Sequence, residues 1–526
     1  MLRRRSALAA LVLLPVLAGG FLAQDRASAD GARLLDQVFN LVSQRFVDTV
    51  GSAALYEKAA RGVVKELNDP YSELFSPKEL AAFSQQTNGK YAGIGMQIQD
   101  LQGAITVSTV FPHTPAEAGG VREGDRIVFV DSLSTRGWTT QKVSDYLIGK
   151  PDTRVTVKFS RPGVAEPITM NFTRKVIHIP AVPYAMMLDN RIGYVPVQRF
   201  NETSSQEVAD AVARLSKEGA RGIVLDMRGN PGGILEQSIQ MSNLFLRSGQ
   251  EILSVRSRAA EPQNFGTTGN ALFPMIPLTV LTDEGSASAS EIVAGALQDH
   301  DRALVVGSTS FGKGLVQTLF PLDGGYALKI TTAKWFTPSG RSIQRERKFE
   351  NGRFVEEKPD SAETEAKKKS RPAFRSDAGR IVYGGGGITP DVLVRDDTLT
   401  TPEQAFTKAI APKSQDFFVI VNDYTLEVAR GLKKDFRVQP QWRDEFFRRL
   451  TTKGVTTDRK QYDAAGRYVD RLLEQRVARI VAGDSTAKRR DIQFDAPLRR
   501  AMELMEKGES QKDLFTLAAA AVPARQ

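Results

Sequence analysis

The chain has 526 residues, of which 41% are hydrophobic and 25% charged, as is usual for a soluble globular protein of about two to four domains. It has no cysteine, which excludes disulfides, thiol catalysis, cysteine-ligated metals and a lipid-modified cysteine. The net charge of +10 is spread along the chain without a nucleic-acid motif, so we expect no nucleic-acid partner.

Residues 1–29 have the pattern of a targeting segment. Three arginines at 3–5 precede an apolar run at 7–23, and Ala-Ser-Ala at 27–29 is similar to a cleavage site. The sequence therefore predicts export. If the segment is cleaved, the rest of the protein would be periplasmic. If it is kept, it would anchor the protein in the inner membrane with the catalytic domain outside the cytoplasm. The sequence leaves both possibilities open.

Residues 30–90 have apolar stripes at helical spacing, for example over Leu34–Val42 and Ala59–Leu67. The turn Asn68–Ser72 ends this pattern. We interpret this helical segment as a packing or dimerisation arm.

Residues 91–175 are rich in short strands and turns, including a predicted strand at Val155–Phe159. With Gly-Ile-Gly-Met at its start and Gly-Asp-x-Ile at 124–127, this stretch resembles a PDZ domain. The resemblance implies that the backbone N–H groups of Gly93, Ile94, Gly95 and Met96 bind the terminal carboxylate of a peptide, which adds a strand to the sheet. A purely structural role is the alternative.

Strands and helices alternate from residue 176 to about 400, which indicates an α/β domain. Ile192–Val197 and Gly222–Asp226 are predicted strands, and Ser204–Ser216 is a predicted amphipathic helix. The following turn, Met227–Gly233, is dense in glycine and proline and can expose successive N–H groups to an anion. We interpret Asp226 and Arg228 as structural residues of this turn.

A second turn, between a predicted strand at Pro277–Leu281 and a predicted helix at Glu291–Leu297, has only small residues at 285–290, directly before the helix. A hydroxyl there lies near free N–H groups and the positive end of the helix dipole, which suits an anionic intermediate. Composition leaves Ser286, Ser288 and Ser290 all open as nucleophiles, and ordinary helix capping is the alternative.

A third turn carries Lys313 between two glycines, after a predicted strand at Ala303–Val306. A shielded ammonium loses its proton more readily, and a neutral amine can accept the proton of a serine hydroxyl.

The sequences Ser-Ala-Ser-Ala-Ser-Glu at 286–291 and Phe-Gly-Lys-Gly-Leu-Val-Gln at 311–317 together resemble the carboxyl-terminal processing peptidases, the tail-specific family of serine proteases. The resemblance implies that Ser288 is the nucleophile, that Lys313 is the general base, and that Gln317 orients the lysine. The spacing of 25 residues between serine and lysine fits the family.

Residues 226–233 match the Asp-x-Arg-x-Asn-Pro-Gly-Gly pattern of the same family. The resemblance implies an oxyanion hole formed by the backbone N–H groups of Gly232, Gly233 and Ala289. It also implies a multidomain α+β fold with an α/β, ClpP- or crotonase-like protease core, an inserted PDZ domain and flanking helical segments. The resemblance covers about residues 31–395.

We therefore predict five segments: a signal peptide or anchor at 1–29, a helical segment at 30–90, a PDZ domain at 91–175, a catalytic domain at 176–400, and a helical appendage at 401–526. Within the catalytic domain, residues 345–377 are charged and poor in apolar residues, which predicts a mobile loop. We recognise no motif in the appendage.

The predicted function is that of an exported serine endopeptidase acting on proteins with unstructured C-terminal tails. An activating adaptor protein and a homodimer are further expectations. No cofactor or metal is expected, since His113, His178 and His300 form no credible triad and no cluster has metal-ligand spacing. The alternative is a non-catalytic, PDZ-containing peptide-binding scaffold, which would have no reason to keep the serine, lysine and glutamine at these spacings.

Overall fold

The computed structural model describes residues 30–520 except 162, 346, 351–352, 357–367, 396 and 457. The predicted targeting segment lies outside these residues. Within the described part, no helix is both long and apolar enough to cross a membrane. The chain divides into two compact units, residues 1–77 with 317–331, and residues 78–316 with 332–526.

The predicted N-terminal helices are present: α1 at residues 30–45, α2 at Ser52–Glu66 and α3 at Pro77–Asn88. The segment also contains a strand, β1 (Glu73–Phe75), that the helical interpretation did not include. It pairs antiparallel with residues 327–329, and Arg61 Nη1 donates to the carbonyl of Leu74. Three residues are too few for a strand to show its alternating pattern, so only its distant partner reveals it.

Short antiparallel strands form the predicted PDZ stretch. They are β2 (Lys90–Gly93), β3 (Met96–Leu101), β4 (Ala104–Val110), β5 (Arg126–Val130), β6 (Leu133–Ser134), β7 (Arg154–Ser160), β8 (Ile168–Thr173) and β9 (Lys175–His178), with helices α4 (Pro115–Ala118) and α5 (Thr140–Leu147). The main sheet has the order β3-β4-β5-β7-β8, with β6 on β5, while β2 pairs with β9. Alternating residues such as Val155, Val157 and Phe159 are buried in its core, so the strand predicted there is confirmed.

The next region contains fourteen described strands and three helices. The strands are β10 (Met186–Met187), β11 (Ile192–Pro196), β12 (Gly222–Asp226), β13 (Glu251–Ser257), β14 (Gln263–Gly266), β15 (Leu278–Thr282), β16 (Leu304–Gly307), β17 (Leu315–Pro321), β18 (Ala327–Phe336), β19 (Arg347–Glu350), β20 (Arg353–Glu356), β21 (Ala373–Arg375), β22 (Ile381–Tyr383) and β23 (Val392–Leu393). The helices are α6 (Ser204–Lys217), α7 (Leu235–Asn243) and α8 (Ala289–Asp299).

Six of these strands form one sheet in the order β10-β11-β12-β15-β16-β23, and all its pairs except β10-β11 are parallel. The residues of β11, β12, β15 and β16 are all buried, which explains why their sequences are continuous apolar runs rather than alternating ones. The prediction of α/β alternation is confirmed.

The predicted mobile loop at 345–377 contains regular structure. Strands β19 and β20 form an antiparallel hairpin, and β21 pairs with β22. Backbone hydrogen bonds form this hairpin without the apolar pattern that is used to predict strands, so the sequence did not indicate it. The predicted mobility of the loop stays a prediction.

Seven α-helices follow residue 400 in the described part of the chain: α9 (Thr401–Ile410), α10 (Ser414–Val428), α11 (Pro440–Thr452), α12 (Arg459–Ala464), α13 (Gly466–Asp491), α14 (Ala496–Lys507) and α15 (Gln511–Ala520). The first five share an aromatic core that includes Phe406, Phe417 and Phe446.

The last two helices differ from the predicted appendage because they pack on the parallel sheet. Leu498, Leu504 and Leu514 are buried against residues of that sheet such as Val224 and Leu281. Helices α6, α7 and α8 cover the opposite face. The sheet is therefore the middle layer of a three-layer sandwich, and the C-terminal segment supplies one outer layer.

Candidate active site

Three turns meet at one end of the parallel sheet. They follow β12, β15 and β16, which are neighbours; Asp226 lies opposite Leu281, and Thr282 opposite Gly307. Because the carboxyl ends of parallel strands lie at the same side of a sheet, the fold brings together turns that are far apart in the sequence.

The turn after β15 leads into α8 through Ser288, which has a left-handed backbone with φ of 55°. Such a conformation is rare for a residue other than glycine and costs about 1–3 kcal/mol. Ser288 is half-buried, whereas Ser286 and Ser290 are fully buried and donate to the carbonyls of Met227 and Asn230 at 2.8 and 3.0 Å. Of the three serines, only Ser288 has a side chain within reach of a substrate.

Glu291, which is not among the predicted site residues, joins the serine turn to the lysine turn. Glu291 is fully buried in the first turn of α8. Its Oε2 accepts from the backbone N–H groups of Ser288 at 2.7 Å and Lys313 at 2.9 Å. Its Oε1 accepts from Ser310 Oγ at 2.5 Å and Gly312 N at 2.6 Å. Since one oxygen binds both amides, the nitrogens of Ser288 and Lys313 lie less than about 6 Å apart.

Burial raises the pKa of Glu291, and its four hydrogen-bond donors oppose that rise. A carboxylate with only donors around it is suited to the ionised form. The geometry thus couples an internal negative charge to the backbone of both predicted catalytic residues.

The backbone around Lys313 is held on its other side as well. Its carbonyl accepts from Trp335 Nε1 at 3.1 Å, and Gly314 N donates to Gln344 Oε1 at 2.9 Å. A Cβ on Gly312 would lie 3.0 Å from Gly387 N, and its φ is 91°. Glycine is therefore required there for close approach, and the lysine side chain is half-buried.

The turn after β12 packs directly on the serine turn. A Cβ on Gly232 would lie 2.7 Å from Ala287 O and 2.9 Å from Ala289 N. Gly232 N already donates to Asn230 Oδ1 at 2.9 Å, so this amide is engaged. The amides of Gly233 and Ala289 make no hydrogen bond within the described part of the chain. Of the three predicted oxyanion-hole donors, these two are available.

Buried side chains fix this turn. Asn230 is fully buried and also donates to the carbonyl of Val197 at 2.8 Å. Asp283, on the serine turn, accepts from Gly229 N at 2.8 Å. Asp226 accepts from Arg228 through both backbone and side chain, which agrees with the structural role predicted for these two residues.

Gln317 lies in the other compact unit, where its Nε2 donates to Thr331 Oγ1 at 3.3 Å. Thr331 Oγ1 in turn donates to Asp69 Oδ2 at 2.6 Å. The predicted role of Gln317 in orienting Lys313 stays a prediction.

The loop predicted to bind a carboxylate is fixed through its carbonyl groups, one of which, Gly95 O, also accepts from Thr114 Oγ1 at 3.2 Å. Ile94 O accepts from Ala116 N at 2.8 Å, and Gly95 O from Phe111 N at 3.0 Å. Gly95 has φ of 92°, and a Cβ there would lie 2.3 Å from Thr114 Cβ, so only glycine fits. Burial raises the pKa of Tyr91 to about 12, and hydrogen bonds with the amides of Met96 and Gly95 oppose that rise.

The histidines serve elsewhere. His178 pairs with Glu207 at 2.8 Å and His300 with Asp377 at 2.7 Å. Among the described residues, no group of histidines and carboxylates could hold a metal ion. The basic residue that the structure joins to the Ser288 turn is Lys313, through the carboxylate of Glu291.

Three family profiles match the chain. Residues 191–350 match peptidase family S41, residues 106–161 match the PDZ domain, and residues 22–78 match the activating protease CtpB N-terminal domain.

Curated relatives agree with these profiles. Over 311 residues, 59% of this chain, it is 33% identical to the carboxy-terminal processing protease CtpA of Bacillus subtilis (strain 168), covering 66% of that protein. It is 34% identical to a probable CtpA-like serine protease of Staphylococcus aureus (strain bovine RF122 / ET3-1), covering 62% of it. The chain thus spans slightly less than two thirds of these relatives' length.

Among solved structures, the photosystem II D1 C-terminal processing protease is 30% identical, with 60% of this chain and 84% of that chain covered and a TM-score of 0.35. A serine on a strand-to-helix turn, a lysine on the adjacent turn and an upstream PDZ domain are features of a PDZ-containing, serine-type peptidase. The chain belongs to the carboxyl-terminal processing peptidases of family S41.

Proposed function

We propose that this protein is an exported serine endopeptidase that binds C-terminal tails through its PDZ domain and cleaves peptide bonds with Ser288, Lys313 and Gln317. The observation that carries the proposal is the buried carboxylate of Glu291, which binds the backbone N–H groups of the serine and the lysine through one oxygen. A scaffold without catalysis has no need for this arrangement.

In the proposed reaction, Ser288 Oγ attacks the carbonyl carbon of the scissile bond while neutral Lys313 accepts the hydroxyl proton. The carbonyl oxygen becomes an anion and accepts hydrogen bonds from the amides of Gly233 and Ala289. The lysine ammonium then protonates the leaving nitrogen, the C–N bond breaks, and an ester remains on the serine. Water, deprotonated by Lys313, hydrolyses that ester and restores the serine hydroxyl.

Gln317 orients the lysine amine in this proposal, as the family resemblance implies. The same resemblance supports a ClpP- or crotonase-like description of the α/β core. Export, location in the periplasm or at the inner membrane, an activating adaptor and a homodimer are proposals that rest on the sequence.

Substrate selection rests on the PDZ loop. The amides of residues 93–96 would bind the free carboxylate of an unstructured tail, while the tail extends a sheet through main-chain hydrogen bonds. Such binding is independent of most side chains, so unfolded proteins with a free terminus are the expected substrate class.

The test is time-resolved cleavage of one unfolded protein by the wild type, Ser288→Ala and Lys313→Ala. Each variant should lose turnover by at least about a thousandfold, and the double variant should be no slower, because the two residues act as a unit. Ser308→Ala, which removes a partly exposed hydroxyl bonded to Glu284 at 3.3 Å, is the matched control and should retain activity. Wild-type levels of cleavage by Ser288→Ala would refute the mechanism. A wild type that binds tails without cutting them would favour the scaffold.

A further inference from the structure

A buried ion cluster connects the C-terminal segment to the oxyanion-hole turn. Arg228, which opens that turn, lies between two carboxylates. Its Nε and Nη2 donate to Asp226 at 2.9 and 2.7 Å, and its Nη1 and Nη2 donate to Asp495 at 2.8 Å each. The three side chains are 14%, 8% and 6% exposed, so water screens these pairs little.

Asp495 is itself held in place by the C-terminal segment. It is the N-cap of α14, with Oδ1 accepting from Leu498 N at 3.0 Å. Lys488, near the end of α13, forms an ion pair with its other oxygen. Burial raises the pKa of Asp495, but the bonds from Arg228 and Lys488 outweigh burial and hold that pKa well below its ordinary value.

Among the described residues that bond directly to Arg228 or Asp495 through charged side chains, the charges balance. Asp226 and Asp495 carry two negative charges, Arg228 and Lys488 two positive ones, and Tyr194 donates its hydroxyl to Asp226 at 2.7 Å. Removing the charge of Asp495 would leave an excess positive charge where desolvation makes it costly. Arg228 would then lose its bidentate contact with Asp495 and keep the one with Asp226.

Movement of Arg228 would be felt in the adjacent turn. Arg228 N also donates to Asp226 Oδ1 at 3.1 Å, so side chain and backbone share one anchor. Gly233, whose amide is an available oxyanion donor, lies five residues further along the same turn. A donor that stabilises a transition state must be placed before the reaction occurs, so a small displacement lowers the rate.

We propose that Asp495 is a positioning residue for the oxyanion-hole turn, and that the C-terminal segment thereby completes the catalytic site through Arg228. This inference rests on the proposed peptidase function. It assigns a catalytic contribution to a region in which the sequence offers no motif.

The test compares Asp495→Asn and Asp495→Ser with the wild type on an unfolded substrate. Asparagine and serine cap helices about as well as aspartate, so both variants keep the cap of α14 while losing the bidentate, charged contact with Arg228. We expect kcat to fall about tenfold with KM unchanged, because the donor acts in the transition state. Binding of a tail peptide should stay at the wild-type level and would show that the rest of the protein is folded.

Asp491→Asn is the matched control. Asp491 lies on the same segment and pairs with Arg471, not with Arg228, at 2.8 Å. Its removal should leave kcat within about twofold of wild type, as is usual for a partly exposed pair.

A double-mutant cycle with Arg228→Lys identifies the route. If Asp495 acts through Arg228, adding Asp495→Asn to Arg228→Lys should slow the enzyme little further. Fully additive losses, an unchanged kcat in both Asp495 variants, or an equal loss in the Asp491 control would overturn the inference while leaving the peptidase function intact. A wild type without cleavage activity would instead refute the proposed function.

Discussion

The serine turn and the loop at residues 93–96 are both proposed to present backbone N–H groups to an anion, but they are held differently. Buried side chains fix the serine turn and its neighbours: Glu291, Asn230 and Asp283 each accept from backbone amides of these turns. Hydrogen bonds to the carbonyls of Ile94 and Gly95, one of them from Thr114 Oγ1, and the glycine conformation at Gly95 fix the loop. Catalysis needs donors placed in advance, whereas peptide capture needs only an open row of amides.

Replacing Glu291 should give the largest effect. Glu291→Gln keeps the size but places an NH2 donor among groups that are themselves donors, so the serine and lysine turns lose part of their common anchor. We expect kcat to fall about a hundredfold with little change in KM for a tail substrate. Glu284→Gln, an exposed carboxylate on the same turn, is the control and should behave like wild type. A KM effect as large as the kcat effect would contradict the distinction between the two regions.

Gly95→Ala should affect the loop at residues 93–96 and therefore tail binding, not the serine turn. The new Cβ would meet Thr114 at 2.3 Å on a backbone with φ of 92°, so the loop must shift. KM for an unfolded substrate should rise about tenfold while kcat holds, because the loop binds the tail in ground state and transition state alike. Gly103→Ala has a similar φ of 78° but nothing within 4 Å, and it controls for backbone strain alone. A lower kcat in Gly95→Ala with the KM of the wild type would contradict the assignment of this loop to tail binding.

The smallest expected effect concerns acid stability. Burial raises the pKa values of Asp226 and Asp495, but the contacts with Arg228 lower them by more than burial raises them. Both pKa values therefore lie below the unfolded value of 3.8. Below that pH the unfolded chain binds more protons, so this contribution is present at neutral pH and is lost as the pH falls through the folded pKa values.

Comparing melting midpoints at pH 7 and pH 3 checks this sign. Asp495→Asn removes one of the two groups, so its midpoint should fall less on acidification than that of the wild type, by a few degrees, or about 1 kcal/mol per pKa unit removed. An equal fall in both proteins would mean that the cluster does not contribute.

Local patterns were sufficient to predict much of the fold. The strands at Ile192–Pro196 and Gly222–Asp226 and the helix of Ser204–Lys217 are where the apolar runs and the helical stripe place them. The turns could be located because each follows a buried strand and is rich in glycine or serine. A helical segment was predicted after residue 400, but helical spacing does not say which surface covers an apolar face, so the packing of α14 and α15 on the sheet could not be predicted.

The site was predictable only in part, for the same reason. The choice of Ser288 over its two neighbours came from a family resemblance, and burial now gives it a physical basis. Glu291 was visible in the sequence, yet its role depends on a turn about twenty residues away. Asp495 lies 267 residues from Arg228, and no local pattern could join them.

The position of the last two helices has a consequence for biosynthesis. A ribosome makes the serine and lysine turns long before residues 496–520, and domains fold as their segments emerge. Until α14 and α15 cover the sheet, Val224, Leu281 and their neighbours lack one apolar layer, and Arg228 lacks Asp495. The nascent chain should therefore carry all its reacting groups without a competent site. In the proposed peptidase, synthesis of the last helices would therefore set the moment at which the site becomes complete.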